Sequence, residues 1–129
     1  MAASPWASAR VAVWAWVEGR RLGPALRADG IEAVDRVAPA PDVAARHRPV
    51  VAGVMRVTGA TCLVRSALLQ RWDADHGVSR PLVIGVARED STVTAHAWLE
   101  GERHARFEEL HRRPPKAVAG RAGADDAHT

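Results

Sequence analysis

The only cysteine of the chain lies in the stretch Gly59-Ala60-Thr61-Cys62-Leu63-Val64-Arg65-Ser66. Thr58 and Thr61 are both suitable N-cap residues for a helix that begins here, and Gly77 suits the position just after its end. Unpaired N–H groups at a helix start stabilise negative charge, so a thiol placed there is able to act as a nucleophile. The stretch therefore predicts a helix that presents Cys62 in its first turn.

The residues after this helix predict strands. The run from Pro81 to Ala87 is short and almost continuously apolar, as buried strands are, and a turn follows at 88–91. The run from Thr92 to Glu100 alternates with a period of two, which puts His96 on the face opposite its small apolar residues. A second turn at Gly101-Glu102 then leads to a third strand that ends at about Glu109.

The N-terminal half predicts helices. Apolar residues recur at helical spacing over 5–22 after a Ser4-Pro5 start, and a short helix is expected at about 30–37. A third helix is expected from a cap at Asp42 to about residue 57, with a kink at Pro49. The order predicts an α+β fold: N-terminal helices, then the nucleophile-bearing helix, then an antiparallel β-meander.

Composition limits the function classes. A length of 129 residues with 47 % hydrophobic residues predicts one packed domain, residues 1–114, and a disordered tail at 115–129. The net charge is only +3, and scattered arginines interleaved with acids do not form a basic stripe, so no nucleic-acid partner is expected. The apolar run at 11–17 is too short for membrane insertion, and a lone cysteine suits a cytoplasmic protein. No cofactor is expected.

Cys62 and His96 supply two of the three groups of a thiol-based hydrolytic site, a nucleophile and a base. The third group orients the base. A three-residue loop after Glu100 would pair His96 with Glu108, whereas a two-residue loop would pair His96 with Phe107. Glu108 is therefore the conditional choice for the orienting acid, and the weaker choices are Glu102 and Glu109.

Structural interpretations of the same residues are open on spacing alone. A lone cysteine near a helix start is most often a small buried apolar residue, and a strand histidine beside a tryptophan is usually structural. A zinc site built from Cys62, His96, His104 and His111 is conceivable. No CxxC or HxxxH spacing supports such a site, so no metal is predicted.

Three blocks occur in an order and spacing that are similar to a known family: Cys62-Leu63-Val64-Arg65-Ser66, Ile84-Gly85-Val86 and Ala95-His96-Ala97-Trp98-Leu99-Glu100. With their surroundings they resemble the transglutaminase-like leader peptidases of lasso peptide biosynthesis. These are small bacterial proteins among the papain-like cysteine hydrolases. The resemblance covers about residues 8–113 and implies a papain/transglutaminase-like core.

The resemblance implies an activity and partners. Such proteins remove the leader from a ribosomally made precursor peptide, with Cys62 as nucleophile, His96 as base and then acid, and the Cys62 N–H as oxyanion donor. Glu108 lies at about the offset of the family's acid, and if residues 107–113 instead match the family's closing aromatic-to-Leu segment, the acid is missing. The implied partners are the precursor peptide, a small leader-recognition protein and an ATP-dependent cyclase similar to asparagine synthetase. The alternatives are another acyl transfer (an amidase or a transglutaminase) and a catalytically weak escort that binds the precursor.

Overall fold

The computed structural model describes residues 5–102 and 107–115, and it shows helices followed by one sheet. Two short 3₁₀ helices, Gly30–Arg36 and Ala45–His47, connect the first two α-helices. The main elements in chain order are α1 (Pro5–Asp29), α2 (Arg48–Thr58), α3 (Cys62–Asp75), β1 (Leu82–Glu89), β2 (Thr92–Leu99) and β3 (Glu108–Arg113). The predicted α+β class, with helices first and an antiparallel sheet after them, is confirmed.

One hydrophobic core joins the helices to one face of the sheet. Helix α3 lies at its centre, because it contacts α1, α2 and the strands β1 and β2. Helix α1 is longer than predicted: Leu22 is buried, and Ala25 and Leu26 pack against the core, so the apolar stripe continues to Asp29. The largest fully buried side chains are Trp72, Met55, Leu68, Leu69, Leu82, Leu99, Val11, Val51 and Val83.

The start of α2 differs from the prediction. Asp42 does not cap a helix, because a 3₁₀ turn at Ala45–His47 precedes α2 and His47 occupies the N-cap position. Pro49 lies in the first helical turn and produces no kink. A missing N–H costs nothing there, because the first N–H groups of a helix have no partner within it.

Helix α3 has the ends that the sequence predicts. The Thr61 hydroxyl accepts a hydrogen bond from the Val64 N–H at 3.3 Å, so Thr61 is the N-cap and Cys62 is the first helical residue. At the other end Gly77 has a φ of 89°, and the next residue, Val78, donates its N–H to the Asp73 carbonyl at 2.8 Å. These bonds satisfy backbone groups that a helix end leaves open.

The strand order is β2-β1-β3, so the third strand pairs with β1 and not with β2. The expected β2–β3 hairpin, and with it the simple meander, is therefore wrong. The physical reason is that the later half of the outer edge of β2 is already occupied by α3 and by the Glu102 side chain, which bond to Ala97 and Leu99. The free edge of β1 is then the one left for β3.

Gly85, on the central strand β1, has no side chain, and groups from both edge strands use the space beside it. Its Cα partners are His96 on β2 and Glu109 on β3. A Cβ at this position would lie 2.6 Å from Cη2 of Trp98 and 2.8 Å from the Glu108 carbonyl oxygen. The Trp98 ring and the β3 backbone thus use the space that a side chain would take.

In the part of the chain that the structure describes, no helix is long and apolar enough to cross a membrane.

We expect Gly85→Ala to lower the free energy of unfolding by about 1–3 kcal/mol, because Trp98 or β3 must move. The measurement is urea denaturation followed by circular dichroism. Gly53→Ala is the matched control: Gly53 lies inside α2 with nothing within 4 Å of the added Cβ. It should raise the stability by roughly 0.5–1 kcal/mol. Equal stabilities of the two variants would contradict the packing argument.

Candidate active site

Cys62 lies against the strand that carries His96. Its Sγ accepts the backbone N–H of Ala97 at 3.3 Å. Four residues along α3, the Ser66 hydroxyl donates to the Ala97 carbonyl oxygen, also at 3.3 Å. Residues four apart share one face of a helix, so one turn of α3 satisfies both backbone groups of a single strand residue.

This contact brings the thiol close to His96. The nitrogen of Ala97 is bonded to the carbonyl carbon of His96, so the sulfur lies no more than about 6 Å from the Cα of His96. The thiol itself is half-buried and forms no disulfide. The two residues that the sequence singled out are therefore adjacent in space.

The His96 ring belongs to an aromatic group on the sheet face that points away from the helices. Its centroid lies 6.1 Å from the Trp98 ring and 5.1 Å from the Phe107 ring, and the last two are 5.9 Å apart. Trp98 is buried and His96 is half-buried. Packing of this kind restricts the orientation of an imidazole.

Glu108 does not lie opposite His96 in the sheet. It pairs with Val86, and β1 separates its strand from β2. The register that placed Glu108 directly across from His96 is wrong, because it assumed that β3 pairs with β2. The Phe107 ring lies against the imidazole, with the two ring centroids 5.1 Å apart. The role of Glu108 as the orienting acid stays a prediction.

Glu109 is engaged by an arginine. Its carboxylate accepts two hydrogen bonds from Arg112, at 3.0 and 2.9 Å, and Arg112 also bonds to Glu100. The hydrogen bond from Arg112 holds the pKa of Glu109 below its ordinary value of 4.5, and the same carboxylates raise the pKa of Arg112. This ion-pair network links β3 to the residue that follows β2.

Glu102 lies on the same side of β2 as Cys62. Its Oε1 accepts the Leu99 N–H at 2.8 Å, and its Oε2 lies 3.7 Å from an Nη of Arg65 on α3. Gly101, with a φ of 104°, makes the reversal that brings this carboxylate back to the strand. Of the three acids singled out in the sequence, Glu102 is the one that shares an edge of β2 with the thiol.

Arg65 and Ser66, for which the sequence predicts no role, both help to hold α3 against β2 and the residue Glu102 that follows it. The available signal was spacing, because Ser66 follows Cys62 by four residues and so lies on the same helix face. Among residues 5–102 and 107–115, no cluster of three or more His, Cys, Asp or Glu side chains could hold a metal ion. His104, one member of the conceivable zinc set, lies outside the described residues.

Comparison with known proteins identifies the family. The family model of the Transglutaminase-like superfamily matches residues 6–124, so the chain belongs to this superfamily. No curated protein and no solved structure matches the chain. The superfamily is generally enzymatic, with papain-like cysteine protease or acyltransferase activity. The superfamily part of the resemblance found in the sequence is confirmed.

We expect Thr61→Ala to destabilise the protein by about 0.5–2 kcal/mol, because the Val64 N–H loses its cap. Thr61→Ser keeps a hydroxyl at the same position and should retain most of the stability. Urea denaturation of the two variants measures the difference. If alanine and serine give the same midpoint, the hydroxyl does not hold the start of α3.

We expect Arg112→Gln to raise the pKa of Glu109 towards 4.5, because the lowering hydrogen bond is lost. A carboxyl group whose pKa is lowered in the folded protein stabilises the folded state at pH values above its ordinary pKa. This stabilisation is lost as the pH falls through the pKa of the group in the folded state. Titration of the Glu109 carboxyl carbon by NMR measures the shift. Arg112→Lys, which keeps the charge without the bidentate fork, should give an intermediate pKa.

Proposed function

We propose that this protein is a cysteine endopeptidase that removes the leader from a ribosomally made precursor peptide during lasso peptide maturation. The observation that carries the proposal is the hydrogen bond from the Ala97 N–H to the Cys62 sulfur. The thiol belongs to the first residue of α3, and this bond holds it one peptide unit from His96. The leader-peptidase assignment within the superfamily rests on the sequence blocks around these residues.

In the proposed reaction the Cys62 sulfur attacks the scissile carbonyl carbon while His96 takes the thiol proton. For this step the imidazole, which packs with Trp98 and Phe107, has to turn towards the edge of β2 where the sulfur lies. A C–S bond forms, the C–N bond breaks, and His96 gives its proton to the leaving amine. Water then hydrolyses the thioester, with His96 again acting as base. Each step passes through an oxyanion that needs hydrogen-bond donors.

The start of α3 supplies a donor for that oxyanion. The first N–H groups of a helix have no acceptor within it, and they point along the positive end of the helix dipole. Among the described residues, none accepts a hydrogen bond from the Cys62 N–H, so this group is available to a substrate. We assign this group to the oxyanion.

Three carboxylates are candidates for the acid that orients His96, and replacing each in turn compares them. Glu108 is the acid at the family's offset, Glu109 is engaged by Arg112, and Glu102 lies on the thiol side of β2. The residue that orients His96 should shift the pH dependence of turnover when its carboxylate is replaced by an amide. The other two replacements should leave the pH profile in place.

The proposal includes partners and a compartment. A small leader-recognition protein would deliver the precursor, and an ATP-dependent, asparagine-synthetase-like cyclase would use the freed amine. The reaction would take place in the cytoplasm, where such precursors are synthesised. These expectations rest on the sequence resemblance.

Mass spectrometry of the cognate precursor, incubated with the protein and the recognition protein, tests the reaction. We expect leader release by the wild type, none by Cys62→Ala, and a loss of at least about 100-fold in His96→Ala. His111→Ala is the matched control, because His111 is an exposed histidine on β3, opposite Ile84. Its turnover should equal that of the wild type.

The same experiment separates the alternatives. Incorporation of an added amine at the cleaved carbonyl would assign a transglutaminase activity to the site, and release of ammonia from a side-chain amide would assign an amidase. Tight binding of an uncleaved precursor by the wild type would identify an escort. The proposed reaction uses no metal ion. Loss of activity in His111→Ala, or after a metal chelator is added, would therefore contradict it.

A further inference from the structure

The outer edge of β2 presents the backbone groups of alternate residues. Ala97 directs its N–H and carbonyl to α3, and Leu99 directs its N–H to Glu102. Along a strand, the backbone N–H and carbonyl groups of successive residues point to opposite edges, so every second residue points to the same edge. Val93 and Ala95 therefore direct their N–H and carbonyl groups outward as well, away from β1.

Nothing in the described part of the chain covers the outward groups of Val93 and Ala95. Helix α3 begins at Cys62 beside the Ala97 N–H and reaches the Ala97 carbonyl at Ser66, so it runs towards the end of β2 and leaves the earlier half of the strand bare. Residues 92–95 are exposed, and the Val93 side chain is 57 % exposed. Within the described ranges, no backbone hydrogen bond reaches the outward side of Val93 or Ala95. We call this stretch, Val93–Ala95, the open edge.

We propose that the open edge binds an extended peptide as an added β-strand and that this pairing delivers the peptide to Cys62. The inference rests on the proposed function and names where its substrate binds. A strand edge with unpaired N–H and carbonyl groups is a template for an extended chain, and its main-chain bonds do not depend on side-chain identity.

The position of the sulfur supports this occupant over a second copy of the chain. Ala97 is the next outward residue after Ala95, about 6.6 Å along the strand, and its N–H is already bonded to the Cys62 sulfur. A peptide that pairs with Val93 and Ala95 therefore reaches the thiol within two further residues. The open edge thus leads directly to the nucleophile.

The neighbouring side chains fit a narrow extended chain. Ala95 and Ala97 are small and share a strand face, on which Ala95 is exposed and Ala97 is buried. Val93 adds an exposed apolar side chain at the far end of the open edge. Recognition of this kind favours an extended conformation, with side-chain preference limited to alternate positions.

Affinity labelling of the only cysteine tests the proposal without the natural precursor. The probe is acetyl-Val-Val-Ala chloromethyl ketone: the Cys62 thiolate displaces chloride from its methylene carbon, forming a C–S bond and releasing chloride. Iodoacetamide, which carries no peptide, reports the reactivity of the thiol alone. The quantity measured is the ratio of the two labelling rates, followed by mass spectrometry of the intact protein.

Val93→Pro and Ala95→Pro each remove one outward N–H, and proline is tolerated where that group does not serve the sheet. We expect each to lower the ratio roughly 2- to 12-fold, the effect of one lost hydrogen bond. Val93→Thr keeps the N–H and should give a higher ratio than Val93→Pro. Circular dichroism checks that the proline variants fold.

A second series needs no variant. Single N-methylation along the probe should lower the wild-type ratio at alternate residues only, because only alternate N–H groups of an added strand face its neighbour. Equal losses at every position, or none, would overturn the proposal. A ratio that falls with protein concentration would overturn it too, because a second copy would then occupy the open edge. If iodoacetamide fails to label Cys62 at all, the nucleophile assignment fails instead.

Discussion

The contact between α3 and the Ala97 residue of β2 organises this fold. Two side chains one helical turn apart, Cys62 and Ser66, satisfy the N–H and the carbonyl of a single strand residue. A buried or half-buried strand edge with unmade hydrogen bonds would be costly, so this arrangement closes half of the edge with a helix. The same contact sends the third strand to β1 and fixes where the sulfur lies.

Helix α3 also links the other layers through polar groups that are themselves buried. The Gln70 amide donates to the carbonyls of Arg80 and Arg113, which joins α3 to the approach to β1 and to the end of β3. Asp73 accepts two hydrogen bonds from Arg48 at the start of α2. Buried polar groups that are fully paired favour a single arrangement over its competitors. The helix therefore sets the relative positions of the helical layer and the sheet.

The sequence could predict what local rules decide. The Thr61 cap, the position of Cys62 and the alternation around His96 depend on neighbours a few residues away, and the structure agrees with each. The partner of β3 depends on a competition between distant segments for the edge of β2, and no local pattern shows which segment wins. For this reason the sequence misplaced Glu108. The 3₁₀ turn before α2 was missed because the pattern of apolar residues does not reveal where a helix loses its first turn.

The aromatic group around His96 has a spectroscopic consequence. The chain has five tryptophans and no tyrosine, so its near-ultraviolet emission comes almost wholly from indole rings. Trp98 is buried beside the imidazole, whereas Trp6 and Trp16 are largely exposed on α1. Replacing the two exposed indoles would remove the solvent-quenched background and leave a signal dominated by interior rings. Occupancy of the site could then be followed by fluorescence, with no label attached.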